Sequence, residues 1–195
     1  MSSELKGKRK IWPTWLMATV FGGFLVVLVL FLEAGRIEQY SRPSLRPSCL
    51  NNIKQLLMAV AMYANSSGGR CPMDSVRPTL VGSMQLLSNV LTTAKVLYCP
   101  DDHRPGARPE ADFKKLTTLN ISYSYVPNLI WLDTPDSPVF LDQMYSTAKG
   151  NVWPTNGNHE SRGGNVGYND GHVSWNNFLS AALKDKDGKE VVLSP

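Results

Sequence analysis

Hydrophobic and polar positions are arranged in three different ways along this chain. From Ile11 to Leu32 no residue is charged, and "WLMATVFGGFLVVLVLFL" is apolar all round. A helix of that length can cross a hydrocarbon core, and its two glycines, unfavourable in a soluble helix, are common in membrane ones. A cleaved signal peptide fits less well, because the apolar core is too long and "LEA" before Gly35 is a poor small-x-small cleavage site. The spacing therefore predicts a membrane anchor over residues 11–33. The second pattern begins at Ser48, a good N-cap. There Leu50, Ile53, Leu57, Val60 and Ala64 recur at steps of three and four, one apolar face of a helix that should stop at Gly68–Gly69. Between the two, Pro43 and Pro47 read as a linker after a short helical extension.

The third pattern is strand-like. A shorter helix is expected from about Gly82 to Leu91, and "KVLYC" then reads as a strand ending at Pro100. Residues 101–118 are polar and broken by Pro and Gly, a surface loop. "LNISYSYVPN" places Ile121, Tyr123 and Tyr125 on one side and serines on the other, a half-buried strand; "SPVFLDQ" is a second. In "NHESRGGNVGYNDGHVSW" a hairpin is expected, with Asp170–Gly171 as its two-residue turn. That register pairs Asn169 with His172, Tyr168 with Val173, Gly167 with Ser174 and Val166 with Trp175. It gathers Val166, Tyr168, Val173 and Trp175 on one face.

Charge changes this picture little. The formal net charge is +4. Lys6, Lys8, Arg9 and Lys10 against Glu4 place +3 of it in the first ten residues, which leaves +1 for the rest. The basic residues precede the apolar run, so the N-terminus is expected in the cytoplasm and the chain after Glu33 outside. A folded basic face for nucleic acid is not indicated. The three cysteines, Cys49, Cys71 and Cys99, form no CxxC pair, which argues against a zinc ribbon or a thioredoxin-like site. In an oxidising compartment two of them would pair, and spacing leaves three choices.

Candidate chemistry is sparse. "HESRG" begins like HExxH, but Gly163 stands where the second histidine should be, and Gly163–Gly164 argue against a helix. His159, Glu160, Asp170 and His172 could gather a cation, as could Asp101, Asp102 and His103, or Asp142; oxygen ligands on loops suit calcium. Turn-capping accounts for the same residues, so Asp142, His159 and Asp170 are carried forward only as candidates, with calcium the ion concerned and no cofactor or metal assigned. "DKDGKE" lacks EF-hand spacing and reads as an exposed turn. There is no GxSxG elbow and no P-loop; apart from His103, four residues after Cys99, no histidine motif stands near a cysteine, and a disulfide or buried thiol is the better reading, so no catalytic residue is assigned.

Three segments together resemble prepilin-like and type II secretion pseudopilin-like proteins: "SCLNNIKQLLMAVAMYANSSGGRCP", "LYCPDD" and "NHESRGGNVGYNDGHVSW". Their order and approximate spacing match over most of residues 49–176, although ten residues rather than nine separate His159 from the Asp-Gly pair. The resemblance implies a pilin-like α+β fold, an amphipathic helix on a small antiparallel sheet, and a non-enzymatic role. It also implies a disulfide from Cys99 to Cys49, with Cys71 as the rival partner. The cleavage motif of that family is missing: Gly23–Phe24 lies inside the apolar run and Leu28 stands where a glutamate is usual. The resulting expectation is a single-pass protein of a bacterial inner membrane. It has a basic tail at 1–10, an uncleaved anchor at 11–33, a linker at 34–48 and a periplasmic domain at 49–195. Its partners would be the membrane and other pseudopilin-like subunits or secretion machinery. Two readings of other classes stand beside it: a membrane-tethered hydrolase or metal-dependent enzyme, and a ligand-binding module that never assembles.

Overall fold

The computed structural model describes residues 14–40, 45–76, 78–147, 150–155, 157–159, 162–178, 183–189 and 191–195, with backbone alone for 14–18, 33–40, 145–147 and 150–151. The basic tail at 1–10, Pro43 and Glu160 lie outside them. The chain forms two compact units, Met1–Ser44 and Leu45–Pro195. In the first, helix α1 runs over Thr14–Tyr40. Among the described residues no helix is long and apolar enough to cross a membrane.

The second unit is α+β. Helix α2 (Arg46–Ser66) starts before the expected Ser48 cap, with Leu45 in the N-cap position and Pro47 in its first turn. Proline fits there, because its missing N–H would have no partner in a first turn anyway; Pro47 is thus helix rather than linker. The buried face is Cys49, Ile53, Leu56, Leu57, Ala59, Val60 and Ala64, the period-3.6 stripe widened by one residue per turn; Leu50 is half-buried. Gly69 N donates to Ala64 O at 2.9 Å, and Gly68 has φ +64, so the glycines end the helix as expected. Helix α3 (Leu80–Gln85), capped by the Thr79 side chain, passes into a 3-10 turn over Leu86–Asn89.

"KVLYC" is not a strand. Residues Ala94–Leu97 form a 3-10 turn that the Thr93 side chain caps. Local capping wins because no ladder forms beside them. Four strands, β1 (Tyr123–Tyr125), β2 (Pro138–Asp142), β5 (Gly164–Tyr168) and β6 (Val173–Asn176), make an antiparallel sheet in the order β1-β2-β5-β6; β3 (Tyr145–Thr147) and β4 (Gly150–Val152) make a separate hairpin. Helix α2 packs on β2, β5 and β6.

Two expectations about the sheet are corrected. β1 is buried on both faces, not half-buried: Ser122 Oγ donates to Asp102 Oδ2 at 2.7 Å and Ser124 Oγ lies 3.0 Å from Ser194 Oγ. The β5–β6 hairpin is one residue out of the expected register. Gly167 pairs with Val173, Val166 with Ser174 and Asn165 with Trp175. Gly171 N donates to Tyr168 O and Tyr168 N to His172 O, both at 2.9 Å, and Gly171 has φ +91. The loop is therefore three residues, Asn169–Asp170–Gly171, a turn closed by a glycine bulge. A Cβ on Gly167 would come within 2.6 Å of Ile53 and 2.9 Å of Leu57. The face of β5 that looked bare is the one on which α2 sits.

Candidate functional site

The convergence of three loops and strands buries a histidine between two aspartates. Asp142, at the end of β2, is fully buried. Its Oδ2 accepts from Asn165 N at 2.7 Å and Asn165 Nδ2 at 2.8 Å, and its Oδ1 accepts from Asn158 Nδ2 at 3.0 Å. His159 follows Asn158 with φ +61, a conformation a non-glycine residue rarely adopts. This turns its ring inward, leaving the residue 3% exposed. Nδ1 lies 2.7 Å from Asp101 Oδ2, and Nε2 lies 3.1 Å from Asp142 Oδ2. The second approach is within ion-pair range but lacks the alignment of a hydrogen bond, and Nε2 has no such partner.

The surroundings fix this ring. Trp175 meets it edge-on at 5.3 Å between centroids, and the Arg46 guanidinium stands 3.5 Å from the Trp175 centroid, a cation–π cap from the start of α2. Gly163, at φ +130, lets the strand pass the Trp175 ring, since a Cβ there would lie 2.9 Å from it. Cys49 on α2 and Cys99 beside Asp101 are joined in a buried disulfide. An isolated bridge links Asp102 to Asn158. Asp102 is itself neutralised by Arg104, whose Nη2 is 2.7 Å away.

Electrostatics set the protonation of His159. Burial pulls its pKa down, but the carboxylates of Asp142, then Asp101, outweigh that and hold it above the ordinary histidine value. Both flanking groups are carboxylates, so the ring serves best as an imidazolium bridging them. Burial, followed by the charge of Asp142, also pushes the nearby Tyr123 hydroxyl well above the usual phenol range.

The candidate cation ligands are thus divided. Asp142 and His159 meet, with Asp101 as the third member. Asp170 is elsewhere, at the exposed hairpin tip, paired with His172 at 2.5 Å and accepting the His172 backbone N–H; Gly171 turns the same loop. One ring nitrogen of His159 lies within 4.8 Å of both Cys49 and Cys99 sulfurs, but as a disulfide these offer no thiolate to a metal. Cys71 is a free buried thiol whose pKa burial raises to about 12. The described part of "DKDGKE", residues 185–189, forms a turn in which Asp185 Oδ1 accepts from the backbone of Asp187 and Lys189. A surface groove of about 580 Å³, lined by Gln85, Ser88, Leu91, Thr92, Asp112 and Lys114 among others, includes none of the histidine cluster.

Sequence reasoning missed Asn158, Asn165 and Arg46. A signal for Asn165 existed: asparagine is a poor strand former, so one inside "GGNVGY" calls for a polar partner. Nothing marked Arg46. The chain matches no family model, no curated protein and no solved structure.

Proposed function

We propose that this is a non-catalytic, membrane-anchored, pseudopilin-like envelope protein, a subunit of a type II secretion or pilus-like assembly. One observation carries the reading: the three segments that bear the resemblance meet at one buried knot. Cys49 comes from the first, Cys99 and Asp101 from the second, and His159 from the third. Their shared residues are spent on holding each other. His159 faces a carboxylate through each ring nitrogen and is covered by Trp175, an arrangement suited to a structural staple rather than to a group that must meet substrate.

The anchor belongs to the same proposal. The large apolar side chains described on α1, from Val20 to Leu32, are 45% to 80% exposed. A helix apolar on every side needs lipid or protein around it. The uncharged sequence from Ile11 to Leu32 has the roughly 20 residues that a span uses. The membrane is a bacterial inner membrane, with residues 45–195 in the periplasm.

Met58 and Met62 are 65% and 53% exposed on α2 and suit photo-crosslinking. A photoreactive residue at Met58 in the native membrane should give crosslinks to other pseudopilin-like subunits, and protease added to sealed spheroplasts should digest the outer unit. A monomer-only pattern overturns the assembly. Protection of the outer unit until lysis overturns the topology.

A further inference from the structure

Folding brings two sulfurs and an imidazole to one point, and the disulfide is only one way to close that corner. Among the described residues, Cys49, Cys99 and His159 form a group whose ligand atoms all lie within 4.8 Å of one another. A second observation singles out the histidine. Asp101 Oδ2 sits 2.7 Å from Nδ1, the contact that in metal sites holds a proton on one nitrogen and leaves the other basic. That other nitrogen, Nε2, is buried and has no hydrogen-bond partner. Asp142 Oδ2, 3.1 Å from Nε2, is placed to complete a fourfold shell.

We propose that when the Cys49–Cys99 bond is reduced, Cys49 Sγ, Cys99 Sγ and His159 Nε2 bind one divalent metal ion of the zinc class, with the Asp142 carboxylate or water in fourth place. Two sulfurs and one imidazole are a zinc-type donor set. The same three segments are then held by a metal in reducing surroundings and by a disulfide in oxidising ones. The proposal does not depend on the pseudopilin reading.

The chemistry balances with a dithiol as reductant. Its two electrons cleave the S–S bond, it closes to its own cyclic disulfide, and its two thiol protons pass to Cys49 and Cys99. Metal binding then releases the thiol protons, and the extra proton of His159, to solvent. Cys71 is not part of the site; its burial keeps it a thiol.

The test uses the full chain in detergent with Cys71→Ser as background, titrated with Zn²⁺ before and after dithiol reduction and removal of excess reductant. The reduced chain should bind one equivalent and the oxidised chain none. X-ray absorption at the zinc edge should find two sulfurs at about 2.3 Å and nitrogen or oxygen at about 2.0 Å. His159→Gln should weaken binding by more than the roughly 10- to 100-fold that losing a supporting partner costs. Equal binding by reduced and oxidised chains, no binding by either, or an all-sulfur shell would overturn the proposal. So would parental affinity in a His159→Gln chain that circular dichroism shows to be folded. Should that variant fail to fold, the absorption spectrum of the parent decides alone.

Discussion

Two aspartate–histidine pairs lie in or reach one eighteen-residue stretch, and burial separates them. His159 with Asp101 and Asp142 is enclosed by Trp175 and a disulfide. His172 with Asp170 sits at the hairpin tip, 48% and 38% exposed at the side chains, with its ring stacked 4.2 Å from Tyr168. The nitrogen–oxygen distances are alike, 2.7 Å and 2.5 Å. Their worth is not. The groups of the outer pair keep much of their hydration and water screens their attraction, so the pair contributes little. The inner groups have been stripped of water, and each depends on the others to offset that loss.

The largest effect should therefore come from breaking the inner set on one side. Asp142→Ala leaves an unpaired imidazolium contact and removes the acceptor for Asn158 and both Asn165 donors. We expect a loss of about 3–5 kcal/mol by urea denaturation of the full chain in detergent. Asp170→Ala, which removes only exposed contacts to His172, should move the midpoint far less. If the two variants melt alike, burial is not what distinguishes the pairs. Close behind comes the clamp: replacing Cys49 and Cys99 by alanine frees a loop with sequence separation 50, for which chain entropy gives about 4 kcal/mol. Non-reducing peptide mapping should show that link in protein taken from the envelope.

These contrasts also show what the sequence could reveal. The α2 stripe was legible because a helix on a sheet has one wet face, so Ile53, Leu57, Val60 and Ala64 had to recur at helical steps. The same logic misread β5. Alternation assumes that one side faces water, and β5 is a central strand covered on both. Gly167 looked like the polar side because it carries no side chain, yet that lack is what admits Ile53 and Leu57. Asn165, a polar residue inside a strand, is bound to the buried Asp142. Asp142 and His159 were recognisable as functional types. That Asp101 would join them depended on the Cys99 link and the inward turn at His159, which no local pattern encodes.

A pH series sharpens the comparison at smaller amplitude. The His159 pKa is raised in the folded chain; burial lowers it, but the two carboxylates more than compensate. Such a group contributes stability that is fully present below its unfolded value of about 6.5 and is lost as pH rises through the folded value. The stability difference between the wild type and His159→Gln should shrink from about pH 6.5 upward. At the tip the sign is opposite. The Asp170 pKa is lowered, first by the His172 backbone N–H, so its contribution appears above about pH 4 and fades as pH falls. Being exposed, the charge part of it should weaken in high salt. A wild-type stability that rises toward alkaline pH, and does so through His159, would reverse the assignment of that ring as an imidazolium.

The smallest expected effects lie within the tip itself and separate backbone from side chain. Gly171 has φ +91, and a Cβ added there meets nothing within 4 Å. Any cost of Gly171→Val is therefore conformational, because a β-branched residue tolerates positive φ badly. It should be about 1–3 kcal/mol. His172→Gln removes only a solvated contact to Asp170 and the stacking on Tyr168, and its thermal midpoint should match the wild type. Both melts should be unchanged by a chelator under oxidising conditions, since the tip holds its loop through the backbone bonds of Tyr168 and Gly171. If Gly171→Val melts like the wild type while His172→Gln abolishes a metal-dependent activity, the exposed pair is the working site and the buried one only its support.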